Sequence, residues 1–125
     1  MKKVIVTNHA PAAIGPYSQA IQAGNTLYIS GQLPIDPATG EFAAQDIAGQ
    51  TRQSLTHLGA ILTQAGFTFD NVVKATVLLS DIADFAAMNA VYAEFFTDAC
   101  PARAAFAVKD LPKGALVEIE AIAVG

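Results

Sequence analysis

The sequence predicts one α+β domain over residues 1–125, in which two helices pack on one face of a single mixed sheet. Two segments repeat apolar residues at helical spacing, and six shorter segments are rich in β-branched and apolar residues. Their order along the chain is β-β-β-α-β-α-β-β. Two helices cover only one face of such a sheet, so we expect the other face, which also carries apolar residues, to be an oligomer interface.

The N-terminal third of the chain is predicted to consist of strands and loops. "KKVIVT" is a short strand, and "NHAPAAIGPYS" is a loop because it has two prolines, a glycine and no sustained period. "SQAIQAG" and "TLYISGQ" are two strands joined by Gly24-Asn25, a dipeptide that favours a hairpin. "LPIDPATGEF" is a second loop.

The middle of the chain is predicted to be helix, strand and helix. The first helix runs from about Asp46, a candidate N-cap, to Ala65, with Gly66 after its end; its apolar residues are Ile47, Leu55, Leu58, Ile61 and Leu62. "VVKATVLLS" is a strand. "DIADFAAMNAVYAEFF" is the second helix, capped by Asp81 or Asp84, with an apolar stripe of Phe85, Met88, Val91, Tyr92, Phe95 and Phe96.

The last two strands, "ARAAFAV" and "ALVEIEAIAV", carry unexpected charge. Alternate residues of a strand share a face, so Arg103 lies beside Ala105, and Glu118 lies about 7 Å from Glu120. The short turn "KDLPKG" favours antiparallel pairing of the two strands, which would bring Arg103 and a glutamate into one polar patch. Two interpretations follow: an exposed cross-strand ion pair, or a small anion site in which arginine holds a carboxylate.

Composition limits the classes of function. Hydrophobic residues make up 53% of the chain and charged residues only 14%, which favours burial of surface between copies in a homo-oligomer. The net charge is −4 and no basic run extends beyond Lys2-Lys3, which disfavours nucleic-acid binding. No apolar run is long enough to cross a membrane, and "MKKVIV" is too short for a signal peptide. We therefore expect a cytoplasmic protein without membrane partners.

Several common catalytic motifs are absent. The sequence has no phosphate-binding glycine loop, and His9 and His57 lack the spacing of metal ligands. His57, on the first helix, is expected to be a surface or boundary residue. The single cysteine, Cys100, suits a reducing compartment and has no obvious base beside it, so an incidental thiol is favoured over a nucleophile.

Four segments resemble the RidA (YjgF-type) family of reactive-intermediate imine deaminases: "GPYSQA", "ISGQLPIDPATGE", "VVKATVLLSDIADFAAMNAVYAEFF" and "PARAAFAVKDLPKGALVEIEAIA". The resemblance runs through nearly the whole chain. It implies a homotrimer of chorismate-mutase-like α+β subunits. The sheets would form a central barrel, and a ligand cleft would lie at each subunit interface.

The resemblance also implies site residues. Arg103 would bind the substrate carboxylate and Glu118 would position the attacking water; Glu120 would be a supporting residue. Tyr17, Ser30, Gly31 and Asn89 would lie at the cleft. Ala105 stands where many members carry a cysteine and would contribute backbone groups.

The implied reaction is hydrolysis of imines and enamines, such as 2-aminoacrylate from pyridoxal-phosphate dehydratases, to 2-keto acids and ammonia. It needs neither a metal nor a cofactor of the protein's own. Three alternatives remain: a non-catalytic binding protein for small carboxylates or keto acids, a ribonuclease or translation inhibitor, and a chaperone or interaction protein. The acidic charge and the absence of a histidine pair disfavour the ribonuclease. Burial and Arg103 would move the pKa of Glu118 in opposite directions, and the sequence leaves the outcome open.

Overall fold

The computed structural model describes residues 1–125. Its strands are β1 (Lys2–Ile5), β2 (Ala20–Ala23), β3 (Thr26–Gln32), β4 (Val72–Leu79), β5 (Ala102–Ala107) and β6 (Val117–Val124). Its helices are α1 (Ile47–Gln64) and α2 (Phe85–Phe95). The predicted element order and the α+β class with one mixed sheet are confirmed, although β1 ends two residues earlier than the apolar run suggested.

The six strands lie in the spatial order β1-β2-β3-β6-β4-β5. β1, β2 and β3 pair antiparallel, and Gly24, in the left-handed region at φ 60°, forms the predicted hairpin turn. β6 pairs antiparallel with both β3 and β4, whereas β5 pairs with β4 in parallel.

The predicted antiparallel pairing of the last two strands is wrong, because β4 lies between them. The connection through α2 is a crossover long enough to return the chain parallel to β4, so β5 takes the free edge beside it. β6 then fills the centre of the sheet. Its alternate residues Val117, Ile119, Ala121 and Ala123 are buried on the helix side.

The hydrophobic core lies between the sheet and the two helices. The apolar stripe of α1 supplies four fully buried residues, Leu55, Leu58, Ile61 and Leu62. Gly66 has φ 82°, and the Phe67 amide donates to the Leu62 carbonyl at 2.8 Å, so α1 ends in the predicted glycine cap. Asp46 occupies the N-cap position without a side-chain cap hydrogen bond.

The second helix begins later than predicted. Residues Ile82–Asp84 form a 3-10 turn, and α2 follows from Phe85. Asp81 caps the turn, because its carboxylate accepts a hydrogen bond from the Ala83 amide at 2.9 Å. No helix is both long and apolar enough to cross a membrane.

His57 is not the surface or boundary residue that the sequence predicted. It lies on the buried face of α1 and is 1% exposed. Its Nδ1 is 3.1 Å from the Leu33 carbonyl, and its Nε2 is 2.8 Å from the Gln53 side-chain amide. These two hydrogen bonds satisfy both ring nitrogens, which is what allows the core to accept the imidazole.

The sheet face that points away from the helices is only partly covered. Several large apolar side chains on this face are exposed by more than a third: Val4, Tyr28, Phe106 and Val124. This is the uncovered apolar face that the helix count predicted.

Candidate active site

A cleft of about 530 Å³ opens between the end of β3, the start of β6 and the loops on either side. Four of the residues implied by the resemblance line it together: Tyr17, Ser30, Gly31 and Glu118. Glu120 lines it as well. The loop "NHAPAAIGPYS" forms one wall, so a segment without regular structure contributes directly to the cleft.

Gln19 holds that loop in place and was not singled out by the sequence. It is 4% exposed; its amide nitrogen donates to the Pro11 carbonyl at 2.8 Å, and its Oε1 accepts from the Thr7 amide at 2.8 Å. The backbone of this loop has no strand partner, and the Gln19 side chain supplies hydrogen bonds that a neighbouring strand would otherwise make. Only the glutamine's place next to a loop signalled this role.

Ser30 and Gly31 lie where β3 turns away from regular pairing with β6. The register between the two strands shifts between Ile29 and Gln32, which frees the backbone of Ser30 and Gly31 from the ladder. The Ser30 hydroxyl donates to the Ser18 carbonyl at 2.6 Å, so this side chain fastens the wall.

Gly31 is required for space rather than for an unusual φ. A Cβ built on Gly31 would overlap the Glu118 carboxylate, which therefore lies directly against the glycine backbone. Any side chain at this position would force the carboxylate to move. The Glu118 carboxylate thus occupies the space that a side chain at position 31 would need.

Glu118 is partly buried, and this burial raises the pKa of its carboxyl above the ordinary glutamate value. The nearby charge of Glu120 raises the pKa further. Within a single chain the direction is therefore upward. Arg103 does not offset it within this chain, since it lies on the other side of the sheet.

Lys113 is a further cleft residue that sequence reasoning missed. It lies in the turn Pro112–Gly114 and has φ 59°, a left-handed conformation that is uncommon for a residue other than glycine. The turn brings Pro112 and Lys113 into the lining of the cleft. The segment "KDLPKG" was predicted to be a turn, but nothing in the pattern showed that it lines a cleft.

Arg103 is held on a separate platform formed by three α2 residues, Phe85, Asn89 and Tyr92. Its guanidinium lies 4.7 Å from the Tyr92 ring centroid and 5.5 Å from that of Phe85, and its Nη1 donates to the Asn89 Oδ1 at 2.7 Å. Stacking on aromatic faces stabilises a cation and limits its rotamers. We call these three residues the arginine platform.

The prediction that Arg103 and Glu118 share one polar patch is wrong within a single chain. Arg103 is in register with Ala75, a buried residue on the helix side, whereas Glu118 is in register with Leu78 on the opposite face. Asn89 and Ala105 lie on the helix side with Arg103. The structure therefore divides the implied site residues between two faces of the sheet.

Other reactive groups are sparse. No cluster of three or more His, Cys, Asp or Glu side chains is arranged to hold a metal ion. Cys100 is an exposed free thiol whose Sγ lies 3.4 Å from the Phe96 carbonyl. The cleft carboxylate and the stacked arginine are thus the groups best placed for chemistry.

Comparison with known proteins identifies the family. The sequence profile described as Endoribonuclease L-PSP matches residues 7–125. The chain belongs to this family, the YjgF/RidA family. A RutC family protein of Pyrococcus horikoshii is 58% identical over 98% of each chain. The resemblance inferred from the sequence motifs is therefore confirmed over nearly the whole length.

Two further RidA-family relatives carry informative names. The 2-iminobutanoate/2-iminopropanoate deaminase of Bos taurus is 56% identical over 99% of this chain and 90% of that protein. The crystal structure of E. coli TdcF with bound serine matches with a TM-score of 0.94 and 44% identity over 98% of both chains. This RidA-family subunit therefore shares its fold with a relative that binds a small amino acid.

Proposed function

We propose that the protein is a 2-iminobutanoate/2-iminopropanoate deaminase, which hydrolyses small 2-imino acids and their enamine tautomers to 2-keto acids and ammonia. The observation that carries the proposal is the Glu118 carboxylate, which is partly buried against Gly31 in an open cleft. Relatives of this name at up to 56% identity over nearly the whole chain support the assignment. The enamines would be those that pyridoxal-phosphate dehydratases release, such as 2-aminoacrylate.

The reaction is an addition followed by an elimination. Water adds to the carbon of the protonated imine while Glu118 accepts one of its protons, which gives a neutral tetrahedral amino alcohol. Glu118 then returns this proton to nitrogen, the C–N bond breaks as the hydroxyl proton passes to solvent, and the keto acid leaves with ammonia. Burial in the cleft raises the pKa of Glu118, which makes the carboxylate a better proton acceptor for the first step.

Arg103 binds the substrate carboxylate in this proposal. A guanidinium forms two parallel hydrogen bonds with a carboxylate, and the arginine platform fixes its plane before substrate arrives. Asn89 therefore acts through Arg103. Tyr17, Ser30 and the backbone of Gly31 and Ala105 complete the pocket around the reacting carbon.

In this proposal Arg103 and Glu118 meet across an interface between subunits. Because one chain holds Arg103 and Glu118 on opposite faces of its sheet, a complete site takes the arginine from one subunit and the carboxylate from the next. A homotrimer with the uncovered sheet faces packed together would also bury Tyr28 and Phe106, which are 50% and 47% exposed in the single chain.

Activity is tested by generating a 2-imino acid in place with an amino-acid dehydratase and measuring keto-acid release with and without the protein. We expect the protein to accelerate release, and both Arg103→Ala and Glu118→Gln to abolish most of the acceleration, about 100-fold or more. Full activity in either variant would remove that residue from the mechanism. Ligand binding without turnover in the wild type would favour a non-catalytic binding protein instead.

The shared site is tested by complementation. When Arg103→Ala and Glu118→Gln subunits are unfolded together and refolded as a random mixture, about a quarter of the sites receive both intact residues from neighbouring subunits. We expect activity to return to about this fraction, whereas either variant refolded alone stays inactive. No recovery in mixed oligomers of confirmed composition would mean that the site is not assembled across an interface.

A further inference from the structure

The buried face of α1 carries an unusual row of polar side chains. Four polar residues of α1 are at most 2% exposed: Gln50, Thr51, Ser54 and His57. Buried polar side chains need hydrogen-bond partners, so each of them calls for an explanation. Two of the four find partners outside the helix, and both partners lie on the segments that form the cleft.

Gln50 holds the approach to β6. Its Oε1 accepts a hydrogen bond from the Leu116 amide at 2.8 Å, and its Nε2 donates to the Ala44 carbonyl at 3.1 Å. Leu116 immediately precedes β6 and lies two residues before Glu118. The Leu116 carbonyl in turn accepts from the Ser80 amide at 3.1 Å, so the start of β6 is fixed from both sides.

His57 holds the exit from β3. A carbonyl oxygen only accepts, so the contact with Leu33 requires the proton on Nδ1, and Nε2 then accepts from the Gln53 amide. Leu33 lines the cleft two residues after Gly31. Burial lowers the pKa of His57, which keeps this neutral tautomer; Asp36, the nearby carboxylate, acts against it less strongly.

The two contacts act on the two strand ends that meet in the cleft. Positions 50 and 57 are two helical turns apart on one face of α1, a separation of about 10 Å along its axis. Helix α1 therefore holds both the end of β3, next to Gly31, and the start of β6, next to Glu118. The contact between Gly31 and the Glu118 carboxylate leaves no room for an extra atom, so this spacing has little tolerance.

We propose that Gln50 and His57 are positioning residues of the reaction, which set the spacing between the Gly31 and Glu118 sides of the cleft. Neither residue lines the cleft. The inference rests on the proposed deaminase function for its kinetic test. A second measurement on Glu118 itself does not depend on that function.

The chain offers two matched controls for this proposal. The Ser54 hydroxyl is buried on the same helix face and has no hydrogen-bond partner, so Ser54→Ala removes a buried polar group without releasing a cleft segment. Ile61→Val trims the core one turn beyond His57 and lowers stability without touching either contact. Ser54→Ala shows the effect of losing a buried polar group, and Ile61→Val shows the effect of lower stability. Any further loss in the test variants is then due to the released cleft segments.

The kinetic test compares Gln50→Met and His57→Phe, which keep side-chain bulk, with the two controls. We expect kcat to fall about tenfold in each test variant at temperatures where the protein is fully folded, because the carboxylate is displaced. Ser54→Ala and Ile61→Val should stay within about twofold of the wild type. Equal losses in test and control variants of matched melting temperature would overturn the proposal.

The titration test follows the Glu118 carboxyl by ¹³C NMR in the same proteins. Loosening β6 should expose this carboxyl and move its midpoint down toward the ordinary glutamate range in Gln50→Met, with no movement in Ser54→Ala. Glu120, Lys113 and Tyr17, the titratable groups that line the cleft with Glu118, are unchanged in both variants. An unchanged midpoint in Gln50→Met would contradict the proposal even if the protein had no deaminase activity.

Discussion

The cleft and the arginine platform are assembled over very different distances along the chain. Asn89 and Arg103 are 14 residues apart and belong to one helix-to-strand unit, α2 and β5. Gly31 and Glu118 come from opposite ends of the sequence and meet because β6 inserts beside β3. The platform is therefore a local device, whereas the cleft depends on the order of strands in the sheet.

This difference in origin has a consequence for tolerance to mutation. The platform has three side chains on one cation, so the loss of one contact leaves two in place. The cleft has a single carboxylate seated against a single glycine. We expect the cleft to be the more sensitive of the two regions.

The largest effect is expected from Gly31→Ala. The new Cβ would overlap the Glu118 carboxylate and force it out of the position proposed for activating water, which should lower kcat about 100-fold in the imine-hydrolysis assay. In a Glu118→Asp background the carboxylate is shorter and the overlap is relieved. Gly31→Ala should then cost much less, and an equal cost in both backgrounds would show that the glycine acts by another route.

A smaller effect is expected from Tyr92→Leu, which removes the nearer aromatic face from Arg103 but keeps an apolar side chain. A cation–π contact contributes about 0.5–2 kcal/mol, so KM for the imino acid should rise by about twofold to thirtyfold. The control is Tyr92→Phe, because the Tyr92 hydroxyl is buried without a hydrogen-bond partner. It should retain wild-type KM; a rise equal to that of Tyr92→Leu would assign the effect to the hydroxyl.

The same contrast explains what the sequence could predict. Periodicity identified the buried face of α1 and the glycine cap at Gly66, because both depend on neighbouring residues. Motif resemblance selected Tyr17, Ser30, Gly31 and Glu118, which do meet in one cleft. The roles assigned to these residues and to Arg103, Asn89 and Ala105 stay predictions.

The larger failures concern long-range order, whereas the misplaced ends of β1 and α2 are local. The pairing of β5 with β6 was wrong because a short turn favours a hairpin locally, while the β4–α2–β5 crossover decides the sheet order globally. That error also placed Arg103 on the wrong face relative to Glu118. His57 was misjudged because its partner, the Leu33 carbonyl, is a backbone group 24 residues away that no side-chain pattern reveals.

The smallest expected effect concerns stability and comes from the cleft alone. The pKa of Glu118 is raised on folding, so the folded chain holds this proton more tightly than the unfolded chain. The stabilisation is fully present below the ordinary glutamate pKa and is lost as pH rises through the raised value. Glu118→Gln removes the buried charge and should therefore raise the melting temperature slightly at neutral pH, with the difference from wild type vanishing on acidification.

The arginine platform supplies the control. Asn89→Ala keeps both the Glu118 carboxyl and the Arg103 charge, so its difference in melting temperature from the wild type should be the same at pH 7 and in acid. The activity of the wild type should fall on acidification, because in the proposed mechanism Glu118 must be ionised to accept a proton from water. The acid limb of kcat/KM should then lie above the ordinary glutamate range and coincide with the pH window in which Glu118→Gln gains its stability. If activity and the stability difference change over separate pH ranges, the group that limits activity is not the buried carboxyl of Glu118.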